Sequence, residues 1–172
     1  MGNLELARRL IDDVRAAGAN EFCVCAGSRN SPLLAVLGSS VSRFLGSSGA
    51  ENTEEPSNRG TEEPRLFSFV DERSAAFFAL GRVKLHGNPV AVVTTSGTAV
   101  AEMLPATIEA YYSGIPLILI SADRPERFRG TGAPQSIEQL GLFGVYAETS
   151  LETWTRVRPL HLNIEFDEPL LT

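Results

Sequence analysis

Leu66-Phe67-Ser68-Phe69-Val70-Asp71-Glu72-Arg73-Ser74-Ala75-Ala76, running on through His86-Gly87 to Val90-Ala91-Val92-Val93-Thr94, is the stretch on which the fold turns. Leu66 to Val70 reads as a strand. Asp71 to His86 is rich in Ala and Phe and reads as a helix, closed by Gly87. Val90 to Thr94 is apolar and β-branched, the pattern of a strand buried on both faces. Strand, helix and buried strand in that order make a βαβ unit, and a βαβ unit needs a parallel sheet.

The same alternation extends in both directions. Upstream, Leu6, Leu10, Ile11 and Val14 recur at helical spacing, with Asn3 placed to cap the start and Gly18 to end it. Phe22 to Ala26 reads as a strand, and Ser31-Pro32 opens a second helix through about Leu37. Downstream, Ser96 to Tyr112 is helical with a break expected at Pro105. Leu117 to Ile120 is another apolar strand, followed by a polar loop from Asp123 to Pro134 and a short helix near Ser136 to Leu140. Val145 to Leu151 and Leu160 to Phe166 read as extended. The class is therefore α/β, doubly wound, with a mostly parallel sheet and helices on both faces, forming one domain over residues 1–172. Too few residues separate Leu151 from Leu160 for a parallel crossover, so either the last strand is antiparallel or a connecting helix is missing. From Gly46 to Pro64, Ser, Gly, Asn, Thr, Glu and Pro dominate, and this segment reads as a flexible insertion.

A formal charge of -6 argues against nucleic acid as partner, which would need a basic face. It does not exclude acidic small molecules, because a few arginines can reverse the local sign in a cleft. No apolar run approaches membrane-span length, and the first residues lack a signal-peptide layout. Cys23 and Cys25, two apart on one strand face, read as small buried apolar residues and neither a disulfide nor, with His86 and His161 remote in sequence, a metal site. Low cysteine use suits a reducing, cytoplasmic setting.

In open α/β sheets ligands collect beyond the carboxyl ends of the strands. Four such ends here carry small, polar or charged groups: Gly27-Ser28-Arg29-Asn30-Ser31, Asp71-Glu72-Arg73, Ser96-Gly97-Thr98 and Asp123-Arg124-Pro125. Taken singly, each has a plain reading: a turn, a helix cap, or a local ion pair between Asp123 and Arg124. The opposite edge offers mostly helix-ending glycines and prolines. Neither the G-x-G-x-x-G nor the G-x-x-x-x-G-K-[ST] nucleotide fingerprint occurs. Glu72 is the most informative residue. It lies between apolar Phe67, Phe69 and Val70 and a helix continuing Ala75, Ala76, Phe77, Phe78 and Ala79, a setting expected to desolvate its carboxyl and raise its pKa. Asp71 better suits the helix-start role.

Val70-Asp71-Glu72-Arg73-Ser74-Ala75-Ala76 resembles the glutamate segment of the pyrimidine-binding domains of thiamine-diphosphate enzymes, and Val92-Val93-Thr94-Thr95-Ser96-Gly97 resembles their second shared segment. Together with Thr98-Ala99-Val100, Gly27-Ser28-Arg29-Asn30-Ser31-Pro32, Ala122-Asp123-Arg124-Pro125 and Gly132-Ala133-Pro134-Gln135, the pattern is similar to the 2-succinyl-5-enolpyruvyl-6-hydroxy-3-cyclohexene-1-carboxylate synthases of menaquinone biosynthesis. Departures are Ala26 and Pro134, where the family usually has Pro and Asn, a longer 46–64 loop, and the absence of a helix before the final strand.

The resemblance implies a transferase that decarboxylates 2-oxoglutarate on thiamine diphosphate and adds the succinyl unit to isochorismate. It implies that Glu72 serves the aminopyrimidine ring as a catalytic residue, that Ser96, Gly97 and Thr98 lie near the cofactor, and that Arg29 and Arg124, with Ser28 and Gln135, meet the acidic substrates. It further implies a homo-oligomer whose Mg²⁺ and diphosphate ligands sit in another domain, since no Gly-Asp-Gly occurs here. The chain is accordingly expected to be an inactive fragment of a longer enzyme. Two alternatives stay open: another thiamine-diphosphate decarboxylase or ligase, and a non-catalytic binding module that keeps the fold.

Overall fold

The computed structural model describes residues 2–38 and 63–171. The expected insertion at 46–64 lies outside the described residues except for its last two positions. Five strands form one sheet: β1 (Glu21–Cys25), β2 (Arg65–Phe69), β3 (Val90–Thr94), β4 (Leu117–Asp123) and β5 (Leu160–Glu165). Their order is β2-β1-β3-β4-β5 and every pairing is parallel. Five α-helices accompany them among the described residues: α1 (Asn3–Ala16), α2 (Ser31–Gly38), α3 (Glu72–His86), α4 (Thr98–Glu102) and α5 (Leu104–Tyr112).

The doubly wound architecture follows from the period of two along buried strands. Phe22 and Val24, Ala91 and Val93, and Ile118, Ile120 and Ala122 face α1 and α2, joined by Leu33, Leu160 and Phe166. Cys23 and Cys25, Val90 and Val92, and Leu117 and Leu119 face α3, α4 and α5 on the other side. In α3 the buried Ala75, Ala76, Ala79, Leu80 and Val83 make one helical stripe. Phe77 and Phe78 fall outside it and are exposed. Phe78 packs edge-on to Phe67 at 5.0 Å beside the border strand β2.

Several expectations need correction. Asn3 does not cap α1. Gly2 takes that position, and the Asn3 amide instead donates to the carbonyls of Asp167, Pro169 and Leu170. β2 ends at Phe69, leaving Val70 fully exposed. Residues 136–140 form no helix; a 3₁₀ turn stands at Gly144–Tyr146 instead. Nor is 145–151 a strand, since only Glu148 makes an isolated bridge to Leu160. That removes the crossover difficulty. The connection between β4 and β5 is the whole of residues 124–159, long enough to return β5 parallel without an α-helix.

The break near Pro105 is present: Met103 separates α4 from α5, and Pro105 sits in the first turn of α5. The amino edge of the sheet is richer than expected. Glu21 receives Arg82 through both carboxylate oxygens, at 2.8 and 2.5 Å, and lies 3.2 Å from His86 Nε2. These hydrogen bonds hold its carboxyl down at about 2. The Asn88 N–H donates to His86 Nδ1, so Nε2 carries the proton and donates to Glu21. The end of α3 is thereby tied to the start of β1.

Candidate functional site

Because all strands run the same way, the four candidate turns emerge on one edge. The strand order reverses between β1 and β3, so their carboxyl ends frame the switch point where open α/β sheets hold ligands.

At the end of β1, Asn30 folds the turn on itself: its Oδ1 accepts from Gly27 N at 2.9 Å and its Nδ2 donates to Cys25 O at 2.9 Å. A Cβ on Gly27 would lie 2.5 Å from Thr95 Cβ, so only glycine lets the ends of β1 and β3 approach this closely. Thr95 is buried there, and among the described residues its Oγ1 has no partner.

Glu72 opens α3 immediately after Asp71, whose Oδ1 caps the helix by accepting from Ser74 N at 2.7 Å. The helix-start role expected of Asp71 is thus present in the geometry. Glu72 is half-buried, not enclosed, since Val70 and Phe77 turn outward. Among the described residues its carboxyl meets one hydrogen-bond donor, Thr94 Oγ1, at a long 3.4 Å. It also lies near the Cys25 thiol, which burial, with help from Glu72 and Asp71, pushes up to about 12. Cys23 is likewise raised to about 12, chiefly by burial, so both cysteines are inert core residues.

At the end of β3, Ser96 and Gly97 are buried and Thr98 is exposed. Gly97 adopts φ 84°, ψ −143°. A Cβ there would come within 2.9 Å of the Gln135 Cα, so residue 135 rests directly on this turn. The Gly97 N–H is not open to a ligand, because it donates to Gln139 Oε1 at 2.7 Å. Gln139, fully buried, went unnoticed in the sequence. Its one clue is an amide within the otherwise apolar-spaced Ile137-Glu138-Gln139-Leu140.

The arginines are separated. Arg124 Nε donates to Pro134 O at 3.1 Å, which brings Arg124 to the segment carrying Gln135, itself exposed. Asp123 does not pair with the Arg124 guanidinium. It accepts from the Arg124 backbone N–H at 2.7 Å and from Asn163 Nδ2 at 2.9 Å, and its cationic neighbour is Arg129 at 3.7 Å. Arg29 is 5% exposed and committed to the C-terminal segment: Nη1 donates to Phe166 O at 3.0 Å and Nη2 lies 3.1 Å from Glu168 Oε1. Ser28, exposed, offers its carbonyl to Ser31. Glu72, Thr95, Gly97, Gln135 and Arg124 therefore line the ends of β2, β3 and β4, whereas Arg29 in this arrangement faces an internal carboxylate.

Two groups at these strand ends keep hydrogen-bonding capacity among the described residues: the half-buried Glu72 carboxyl, with one weak partner, and the buried Thr95 hydroxyl, with none. Residues 38–142 match the family described as "Thiamine pyrophosphate enzyme, N-terminal TPP binding domain". The chain belongs to this family. The matched span contains Glu72, Ser96 to Thr98, Arg124, Gln135 and Gln139. Curated relatives carry a more specific name, 2-succinyl-5-enolpyruvyl-6-hydroxy-3-cyclohexene-1-carboxylate synthase. One from Bdellovibrio bacteriovorus is 42% identical across 99% of the chain and 31% of that protein. One from Akkermansia muciniphila is 46% identical across 88% of the chain and 27% of the relative. One from Corynebacterium diphtheriae is 42% identical across 97% of the chain and 30% of the relative. The chain thus spans less than a third of the length of these relatives. Among the described residues no helix is long and apolar enough to cross a membrane, and no group of three His, Cys, Asp or Glu could hold a metal ion.

Proposed function

We propose that this chain is the pyrimidine-binding part of a 2-succinyl-5-enolpyruvyl-6-hydroxy-3-cyclohexene-1-carboxylate synthase, taking 2-oxoglutarate and isochorismate as substrates in menaquinone biosynthesis. The observation that carries the reading is Glu72, which meets Thr94 at the switch point and among the described residues leaves most of its hydrogen-bonding capacity unused, in a chain whose relatives bear that name. Thiamine diphosphate, when bound, supplies the carbanion chemistry of decarboxylation and carbon–carbon bond formation.

The residues of this chain position that chemistry and control protons. Glu72 holds a proton at its carboxyl and shares it with the pyrimidine ring nitrogen, a task that needs a partly desolvated acid. Thr95 Oγ1, packed against Gly27, is a further hydrogen-bonding group without a partner among the described residues. Ser96 and Thr98 flank the Gly97 turn against the cofactor. Arg124 and Gln135, joined through Pro134, receive a substrate carboxylate, for which arginine's planar fork is suited. Arg29 and Ser28 reach the second acidic substrate once Glu168 gives up the guanidinium. Mg²⁺ and the diphosphate are held outside this chain, and the working enzyme is a cytoplasmic homodimer or larger homo-oligomer whose site is completed between subunits.

The test is the full-length protein supplied with thiamine diphosphate, Mg²⁺, 2-oxoglutarate and isochorismate. The reading expects succinylated product with carbon dioxide release. Carbon dioxide release without isochorismate addition, or a preference for pyruvate, would point to another thiamine-diphosphate decarboxylase or ligase. Cofactor binding with no turnover on any 2-oxo acid would point to the non-catalytic module.

A further inference from the structure

Gln139 is fully buried, and each end of its amide is used. Oε1 accepts from Gly97 N at 2.7 Å; Nε2 donates to Ala122 O at 3.2 Å and to Asn163 Oδ1 at 2.8 Å. One side chain therefore ties together the carboxyl ends of β3, β4 and β5. Its orientation is forced from both directions. The Gly97 N–H can only donate, so it must face Oε1. The Asp123 carboxylate takes Asn163 Nδ2, which turns Asn163 Oδ1 toward Gln139 Nε2 and the Ser121 hydroxyl.

Four residues upstream, Gln135 holds φ 51°, a left-handed backbone that is unfavourable for a residue with a Cβ, with its backbone packed on Gly97. Such strain persists only where the surroundings enforce it, and it gathers at binding sites. The segment 135–139 is held on the Gly97 turn at two points: the close approach of Gln135 and the buried amide of Gln139.

We infer that Gln139 is a positioning residue: it fixes the Gly97 turn and presses Gln135 into its left-handed conformation at the site edge, touching neither cofactor nor substrate itself. This inference rests on the proposed synthase reading for its kinetic consequence and on the hydrogen bonds alone for its structural one.

The test compares Gln139→Glu and Gln139→Leu in the full-length protein. Glu keeps the acceptor for Gly97 N–H but loses the arm to Ala122 and Asn163 unless protonated; Leu loses both. Gln139→Glu is expected to stay folded, with KM for 2-oxoglutarate changed by less than about threefold and kcat reduced about 10–100-fold, the scale of a small misplacement. Partial recovery as the pH is lowered is also expected, because the protonated acid regains a donor. Wild-type kcat in both folded variants would overturn the inference, as would a kcat loss matched by the unfolded fraction. Amide hydrogen exchange at Gly97 reads the structural claim separately. Protection lost at Gly97 in Gln139→Leu, with Val92 unchanged, is expected. Unaltered protection at Gly97 refutes the strut even if the wild-type enzyme proves to catalyse another reaction. Should Gln139→Leu fail to fold, the kinetics of Gln139→Glu and their recovery at lower pH decide alone.

Discussion

Nε2 of His161 lies 2.7 Å from the hydroxyl of Ser121, in the sheet interior between β5 and β4. Ser121 in turn donates to Asn163 Oδ1 at 2.8 Å, so its one proton is spoken for and His161 Nε2 must be the donor. Phe143 stands edge-on to the imidazole at 4.6 Å. His161 is therefore a neutral imidazole with a defined tautomer, packed in the core.

Burial pushes this imidazole down from its ordinary 6.5 to about 4. Between those values the unfolded chain binds a proton that the folded chain refuses, so stability is complete above about pH 6.5 and falls as the pH drops toward 4. The loss should reach about 2–3 kcal/mol. Urea unfolding at pH 7 and pH 4.5 measures it. His161→Gln, which cannot titrate, should lose much less over the same interval.

Glu21 governs a lower window. Its folded value of about 2 lies below the ordinary 4.5, so the stability it contributes is present above pH 4.5 and disappears as the pH falls through 2. Solvent screening keeps the effect to about 1 kcal/mol. Glu21→Gln should flatten the stability profile between pH 4.5 and 2 and leave the step between 6.5 and 4 intact. Acid titration of the two variants separates the contributions.

Arg29 is a structural tie as the chain stands. Removing a charged donor from the buried Phe166 carbonyl should cost about 1.5–3 kcal/mol in Arg29→Ala. Glu168 is 59% exposed and, losing its partner, can turn to water, so Glu168→Ala should cost less than about 1 kcal/mol. Thermal unfolding of both variants compares them. Equal losses would mean that the ion pair, and not the carbonyl contact, secures the C-terminal segment.

The layers were legible because buried parallel strands write themselves as apolar runs: Val90–Thr94 and Leu117 onward lie where the pattern placed them. The carboxyl-edge turns were legible for the same reason. Elsewhere local pattern misled. Val145 to Leu151 has strand-like composition, but this segment is taken up by a 3₁₀ turn and one bridge, which local pattern cannot reveal. The buried polar network was missed because its members lie 17 to 42 residues apart. One signal was available: His161 and Asn163 occupy alternate positions of β5 and so share a face, a hint of a polar partner across the sheet. The enclosure of Glu72 was over-read, since helical periodicity turns Phe77 away from it.

On the proposed function Glu72, and not its neighbour Asp71, handles the activating proton. The direct measurement is the steady-state turnover of Glu72→Gln and Asp71→Asn in the full-length protein. Gln keeps shape and hydrogen bonding but cannot exchange a proton near neutral pH. Its kcat should therefore fall by about 10²–10⁴-fold with little change in KM. Asn caps a helix about as well as Asp, so Asp71→Asn should leave both stability and turnover near wild type. Full turnover in Glu72→Gln, together with its loss in a folded Asp71→Asn protein, would contradict the assignment and place the proton on the wrong carboxylate.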